Sequence, residues 1–185
     1  MIRDGSLFLS VVVLGAVLLS LVTPTGGFVF VAGDSMDPAI PSGCSVVSAH
    51  AWDGESSLEG EVVAFDSKHV ETDVVGSSVL DAEPWVAHRV VAEYESYDAT
   101  EADHYVTEDG YLVVESTEET RLIETNQGYD DAMALEGERV LVLKGDNNAE
   151  VDPVLVHEDE VLGVLEDREY VTIQDSGSWP CAALE

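Results

Sequence analysis

After residue 27 short apolar, valine-rich runs of about five positions alternate with intervals of Gly, Ser, Asp and Glu. The runs are "FVFVA" (28–32), "SVVSA" (45–49), "EVVAF" (61–65), "WVAHRVV" (85–91), "YLVVE" (111–115), "RVLVL" (139–143), "PVLVH" (153–157), "VLGVL" (161–165) and "YVTI" (170–173). β-Branched side chains fit a pleated, half-buried surface and the residues between them favour turns, so the pattern predicts a mainly β domain with a strand at each run. Only "YDDAMALEGERV" (129–140) suggests a helix, and a short one. Two stretches break the rhythm. Residues 66–84 are polar and Ser/Asp-rich, and residues 93–136 hold fourteen acids against a single Arg. Both read as surface insertions, the second as a solvated face or excursion and not as core. There is no internal repeat.

The amino-terminal pattern is different. No residue from Gly5 to Gly33 is charged, and "SLFLSVVVLGAVLLSLVT" (6–23) is apolar up to Pro24. As a helix, eighteen residues at about 1.5 Å each span about 27 Å, close to the hydrocarbon thickness of a bilayer. Apolar residues on every face mean that water is not the solvent for such a helix. No small-x-small cleavage site follows, so residues 1–23 read as a retained signal-anchor and not as a cleaved leader. Arg3 places the amino terminus inside and residues 24–185 on the extracytoplasmic side of the cell membrane.

Charge narrows the setting. The 185 residues carry 38 Asp plus Glu against 7 Lys plus Arg, a net charge of −31. That excess repels phosphate and argues against nucleic-acid binding. The acids are interleaved with aliphatics along the whole chain, which fits a folded, halophilic protein working in concentrated salt better than a disordered acidic tail. At this length one well-buried domain is expected. No His/Cys spacing suggests a metal site, and no cofactor is expected. Cys44 and Cys181 are free to pair outside the cell, and nothing in their spacing requires it.

Three segments carry candidate chemistry. In "AGDSMDPAIPSG" (32–43), Ser35 lies in a Pro-rich turn, where Asp and Ser are also ordinary turn residues. A serine hydroxyl needs a positioned base to act as a nucleophile. Of His50, His69, His88, His104 and His157, His88 stands out because it lies in the middle of an apolar run, flanked on both sides by strand-forming residues; the lysines are Lys68, in a polar insertion, and Lys144. In "LVLKGDNNAEVDPV" (141–154) a strand ends at a Gly-Asp turn, and Asp152 follows Asp146 by six residues, just before Pro153. Asp146 is placed to bond the backbone N–H groups of its own turn. Asp152 comes after the turn is complete and is free to reach an imidazole.

Taken in order, the anchor, "SMDP" (35–38), "EVVAF" (61–65), "HRV" (88–90) and "GDNNAEVD" (145–152) resemble a type I signal peptidase, in the archaeal and endoplasmic-reticulum branch that uses histidine in place of the bacterial lysine. The resemblance covers about half the chain and none of residues 66–84 or 93–136. It implies an antiparallel, LexA-like β domain behind one transmembrane helix. It also implies a serine endopeptidase that removes signal peptides from secreted and membrane preproteins, with Ser35 as nucleophile, His88 as base, Asp152 as the acid and Asp146 as support. Its implied partners are signal peptides, the lipid bilayer and the protein-translocation channel. The chain departs from the pattern where Gly33 takes the place of a serine whose hydroxyl helps hold the oxyanion in relatives. Asp34 beside the nucleophile is expected to face away, since a carboxylate there would oppose developing negative charge. Cys44 stands where relatives usually have aspartate. Two alternatives remain: a LexA-like self-cleaving protease, against which the anchor and the lack of a suitable lysine argue, and a non-catalytic membrane-anchored β domain.

Overall fold

The valine-rich runs become strands, and the way they pack explains why so few of them alternate. A computed structural model of the chain describes residues 27–41, 43–66 and 85–173. The apolar run 6–23, residues 67–84 with Lys68 and His69, and Cys181 lie outside these residues. Among the described residues no helix is long and apolar enough to cross a membrane.

The described residues form ten strands: β1 (Gly27–Gly33), β2 (Gly43–His50), β3 (Val62–Asp66), β4 (Trp85–Tyr94), β5 (His104–Val106), β6 (Tyr111–Glu115), β7 (Thr120–Glu124), β8 (Val140–Lys144), β9 (Leu155–His157) and β10 (Val161–Ile173). Seven make one sheet in the order β1-β2-β10-β3-β4-β8-β9, and β5-β6-β7 make a second. Every pairing is antiparallel. The expected mainly antiparallel β architecture is therefore present.

Side chains on a strand alternate between faces, yet Val62, Val63, Ala64 and Phe65 are all buried, as are Val140, Leu141, Val142 and Leu143. Both faces of the central strands are covered. Val63 and Phe65 pack with Val90, Leu141, Leu143 and Val164, whereas Val62 and Ala64 pack with Met36, Ile40, Val47, Ala87 and Leu165. Burying each Val, Leu or Phe contributes about 1.5–3 kcal/mol. These unbroken apolar runs thus place the middle of the larger sheet at the centre of the core.

The acidic stretch 93–136 is not merely a solvated excursion. It forms β5–β7 and a helix α1 (Tyr129–Met133), and it owns a core: Tyr97, Val106, Leu112 and Ala132 are buried together with Val140, Val142 and Leu155 of the larger sheet. One buried residue per turn or strand is enough for this, and the surrounding acids hide it in a composition count. The helix is shorter than the 129–140 run, and the runs at 161–165 and 170–173 are one strand. "EDRE" (166–169) continues β10 through a register shift against β2 between Leu165 and Tyr170. A bulge lets polar residues sit inside a strand without breaking it.

Candidate active site

The turn after β1 holds Ser35. Asp37 N–H donates to Asp34 O at 3.1 Å and Ile40 N–H to Met36 O at 2.9 Å, closing two short loops. The Asp37–Pro38 peptide is cis. Met36 and Ile40, 2% and 1% exposed, insert beside Ala64 and Ala87 and fasten the turn to the sheet. Ser35 itself is half-buried, while Asp34 lies exposed.

His88 projects from β4 on the face opposite Ala87, beside Val63 on β3 and with Phe65 at a ring-centroid distance of 6.4 Å. Its Nδ1 lies 2.6 Å from Asp152 Oδ2. Both side chains are buried, 8% and 5% exposed. Against an ionised carboxylate, which only accepts, Nδ1 would carry the proton, and a neutral ring would then keep its lone pair on Nε2. The contact exists because the loop after β8 folds back. Asn148 N–H donates to Gly145 O at 2.9 Å and Asp152 N–H to Leu143 O at 2.8 Å, which brings Asp152 beneath β4.

The same loop holds the serine turn. Asn147 N–H donates to Ser35 O at 2.8 Å. A Cβ on Gly145 would stand 2.7 Å from that same oxygen, so only glycine allows so close an approach. The loop therefore touches Ser35 through Asn147 and His88 through Asp152. No hydrogen bond joins the Ser35 hydroxyl to His88 among the described residues. Nucleophile–base contacts are often long in unliganded sites and tighten only with substrate bound.

Asp146 does not bond the N–H groups of its own turn. Arg89 Nε donates to its Oδ1 at 2.8 Å and Nη2 to its Oδ2 at 2.7 Å, while the same guanidinium reaches Asp167 Oδ2 at 2.7 Å and Gly60 O at 2.8 Å. Arg89 follows His88 on β4 and points to the other face. Its planar fork matches a carboxylate, and the turn amides are already satisfied by Gly145 and Ser35. Asp146, opposed by desolvation and joined by Asp167, raises the guanidinium pKa above its already high ordinary value. Arg89 stands in the "HRV" run, where strand alternation points it away from His88. Asp167, in the polar "EDRE" segment, carries no signal of its role.

Gly33 takes φ +102° and has nothing within 4 Å of a built Cβ. Space for a side chain exists; the backbone conformation is what favours glycine here. Set against known proteins, the chain matches no family model, no curated protein and no solved structure.

The other described histidines have different surroundings. His50 is exposed, 3.6 Å from Glu166. His104 Nδ1 meets the Tyr94 hydroxyl at 2.8 Å, and burial pushes its pKa down against the opposing charge of Asp103. His157 Nδ1 accepts from Asp159 N–H at 3.1 Å and caps a short 3₁₀ turn. Lys144 Nζ donates to Ala149 O at 3.2 Å. Of the described imidazoles, only His88 is buried against a carboxylate.

Proposed function

We propose that the chain is a serine endopeptidase of the type I signal peptidase kind, anchored in the cell membrane through residues 6–23 and cleaving signal peptides on the extracytoplasmic side. The observation that carries the reading is the buried 2.6 Å contact between His88 Nδ1 and Asp152 Oδ2, on a loop that also grips the Ser35 carbonyl. In this reading Ser35 Oγ attacks the scissile carbonyl, and His88 Nε2 takes its proton and returns it to the leaving amine. Asp152 fixes the tautomer and stabilises the imidazolium. The oxyanion is met by backbone amides of the Ser35 turn, without a side-chain hydroxyl at Gly33. The anchor supports the substrate choice. Thirteen residues from Val22 to Ser35 reach at most about 45 Å, and signal peptides are cut close to where they leave the bilayer.

The test is cleavage of a secretory precursor by the full chain in vesicles at high salt. Parent protein releases the mature product, and Ser35→Ala and His88→Ala do not, with circular dichroism unchanged. A folded Ser35→Ala variant that still cleaves ends the nucleophile assignment. A parent that cleaves no precursor, together with the lack of a Ser35–His88 hydrogen bond, favours the non-catalytic β domain.

A further inference from the structure

We propose that the acidic insertion is a positioning device for Asp152, and that Thr125 and Gln127 are the residues through which it acts. The inference rests on His88 and Asp152 being the base and acid of the proposed peptidase.

Three ties run from the insertion to the chain on either side of Asp152. Before it, Arg121 on β7 pairs with Glu150 at 2.9 and 3.0 Å. After it, the Thr125 hydroxyl donates to Pro153 O. Further on, Gln127 Nε2 donates to Leu155 O at 2.9 Å while Leu155 N–H donates to Gln127 Oε1 at 2.8 Å. The Gln127 amide satisfies both backbone groups of Leu155, as a neighbouring strand would, on the outer edge of β9. Thr125 is itself fixed, because its N–H donates to Gly110 O at 3.1 Å and its hydroxyl accepts from Gln127 N–H at 3.0 Å. Strand β9 is three residues long and pairs only with β8 among the described strands. Without the insertion, the segment carrying Asp152 would have one neighbour instead of two.

The three ties differ in how they answer to salt. Arg121 and Glu150 are each 47% exposed, and such a pair contributes little and is screened at high ionic strength. Thr125 and Gln127 are 9% and 5% exposed and neutral, so salt leaves their bonds intact. In a chain of charge −31, fixing the acid through a neutral buried hydroxyl and a neutral buried amide keeps its position independent of the medium. A displacement of about 1 Å at a reacting group costs up to a hundredfold in rate, so the fixing is kinetic in its consequence.

The experiment compares Thr125→Val, Thr125→Ser, Gln127→Ala and Arg121→Gln in the full chain at high salt. Thr125→Val keeps the shape and removes the donor; Thr125→Ser keeps the donor. Two readouts are taken: kcat and KM on a precursor, and the low-field proton NMR signal of His88 Nδ1–H, which reports its bond to Asp152 whether or not anything is cleaved. Thr125→Val and Gln127→Ala are expected to lower kcat by up to about a hundredfold with KM unchanged and to weaken the low-field signal while circular dichroism stays native. Thr125→Ser restores both, and Arg121→Gln changes neither. A Thr125→Val variant with parental kcat and signal overturns the proposal, as does a change in KM alone. If no precursor is cut by the parent, the peptidase reading falls, and loss and return of the signal in the Val and Ser variants still upholds the positioning role.

Discussion

Two neighbours on β4, His88 and Arg89, each take a carboxylate from the same loop, and they hold it in opposite ways. His88 makes one contact with Asp152, out of water on both sides. Arg89 makes four hydrogen bonds, to Asp146, Asp167 and Gly60, at a place where the three charged side chains keep about a fifth to a quarter of their exposure. An imidazole exchanges a proton near neutral pH, whereas a guanidinium does not. One pair is therefore suited to proton transfer and the other to tying β4, the loop after β8 and the β10 bulge together. Six positions apart on one loop, Asp146 ties strands together through a guanidinium and Asp152 faces an imidazole.

The largest expected effect removes both pairs at once. At 1 M salt the Debye length is about 3 Å and the repulsion among the acids is screened; at 0.1 M it is about 10 Å. With 38 acids against 7 bases, dialysis to about 0.1 M salt should abolish the β-sheet circular dichroism signal and the cleavage together, and restored salt should return both. A native spectrum with full activity at low salt would show that the surface charge is tolerated without screening.

Asp152→Asn and Asp146→Asn then separate the two faces. The first should leave the melting temperature nearly unchanged and lower turnover by roughly 10⁴-fold, because the amide imposes the wrong tautomer on the imidazole. The second leaves Arg89 with one carboxylate fewer in a partly buried site. It should cost about 2 kcal/mol of stability with a smaller loss of rate, and Arg89→Lys should behave like it because an ammonium cannot reproduce the fork. If Asp152→Asn cleaves normally while Asp146→Asn is folded and dead, the two roles must be exchanged. Gly33→Ser tests the turn between them. At φ +102° a side chain costs about 1–3 kcal/mol, so the variant should melt earlier and gain no rate. A faster, equally stable Gly33→Ser would mean that the backbone relaxes and a hydroxyl can serve the oxyanion there.

Much of this arrangement is readable from residue order. The valine-rich runs mark β1–β4, β6 and β8–β10 because strand burial needs little beyond β-branched apolar side chains. The pairing of His88 with Asp152 is what the resemblance to the signal peptidase boxes implies; a histidine inside a strand and an aspartate after a completed turn are compatible with it but leave Asp146 open as the partner. Arg89 is harder to read, since alternation fixes which way it points but not that Asp146 and Asp167, 21 residues apart in sequence, converge on it. β5 and β7 escape a pattern search for another reason. β5 has three residues, and on β7 only Ile123 is even partly buried, so neither shows a two-residue period. The core of the insertion is assembled from single residues in separate segments, Tyr97, Val106, Leu112 and Ala132, and no local window contains it.

The smallest expected effect uses His104 as the counterpart of His88: an imidazole against the Tyr94 hydroxyl instead of a carboxylate. Burial is the larger influence on it and lowers its pKa from the usual value, with Asp103 pulling the other way. A histidine whose folded-state pKa is depressed binds fewer protons folded than unfolded. Its contribution to stability is therefore complete above the unfolded pKa of about 6.5 and is lost as the pH falls from there through the lower folded value. Stability responds to pH for other reasons too, so the signal is the difference between parent and His104→Gln, which keeps a side-chain oxygen able to accept from Tyr94. Between about pH 7.5 and about pH 5.5, at one high salt concentration, the parent's melting temperature should fall further than that of the variant. The His88 low-field signal should be the same in both, because His104 sits on β5 of the insertion, against Tyr94 and Tyr97. Equal falls in parent and variant would mean that protonated His104 is accommodated in place, with the charge of Asp103 outweighing its burial.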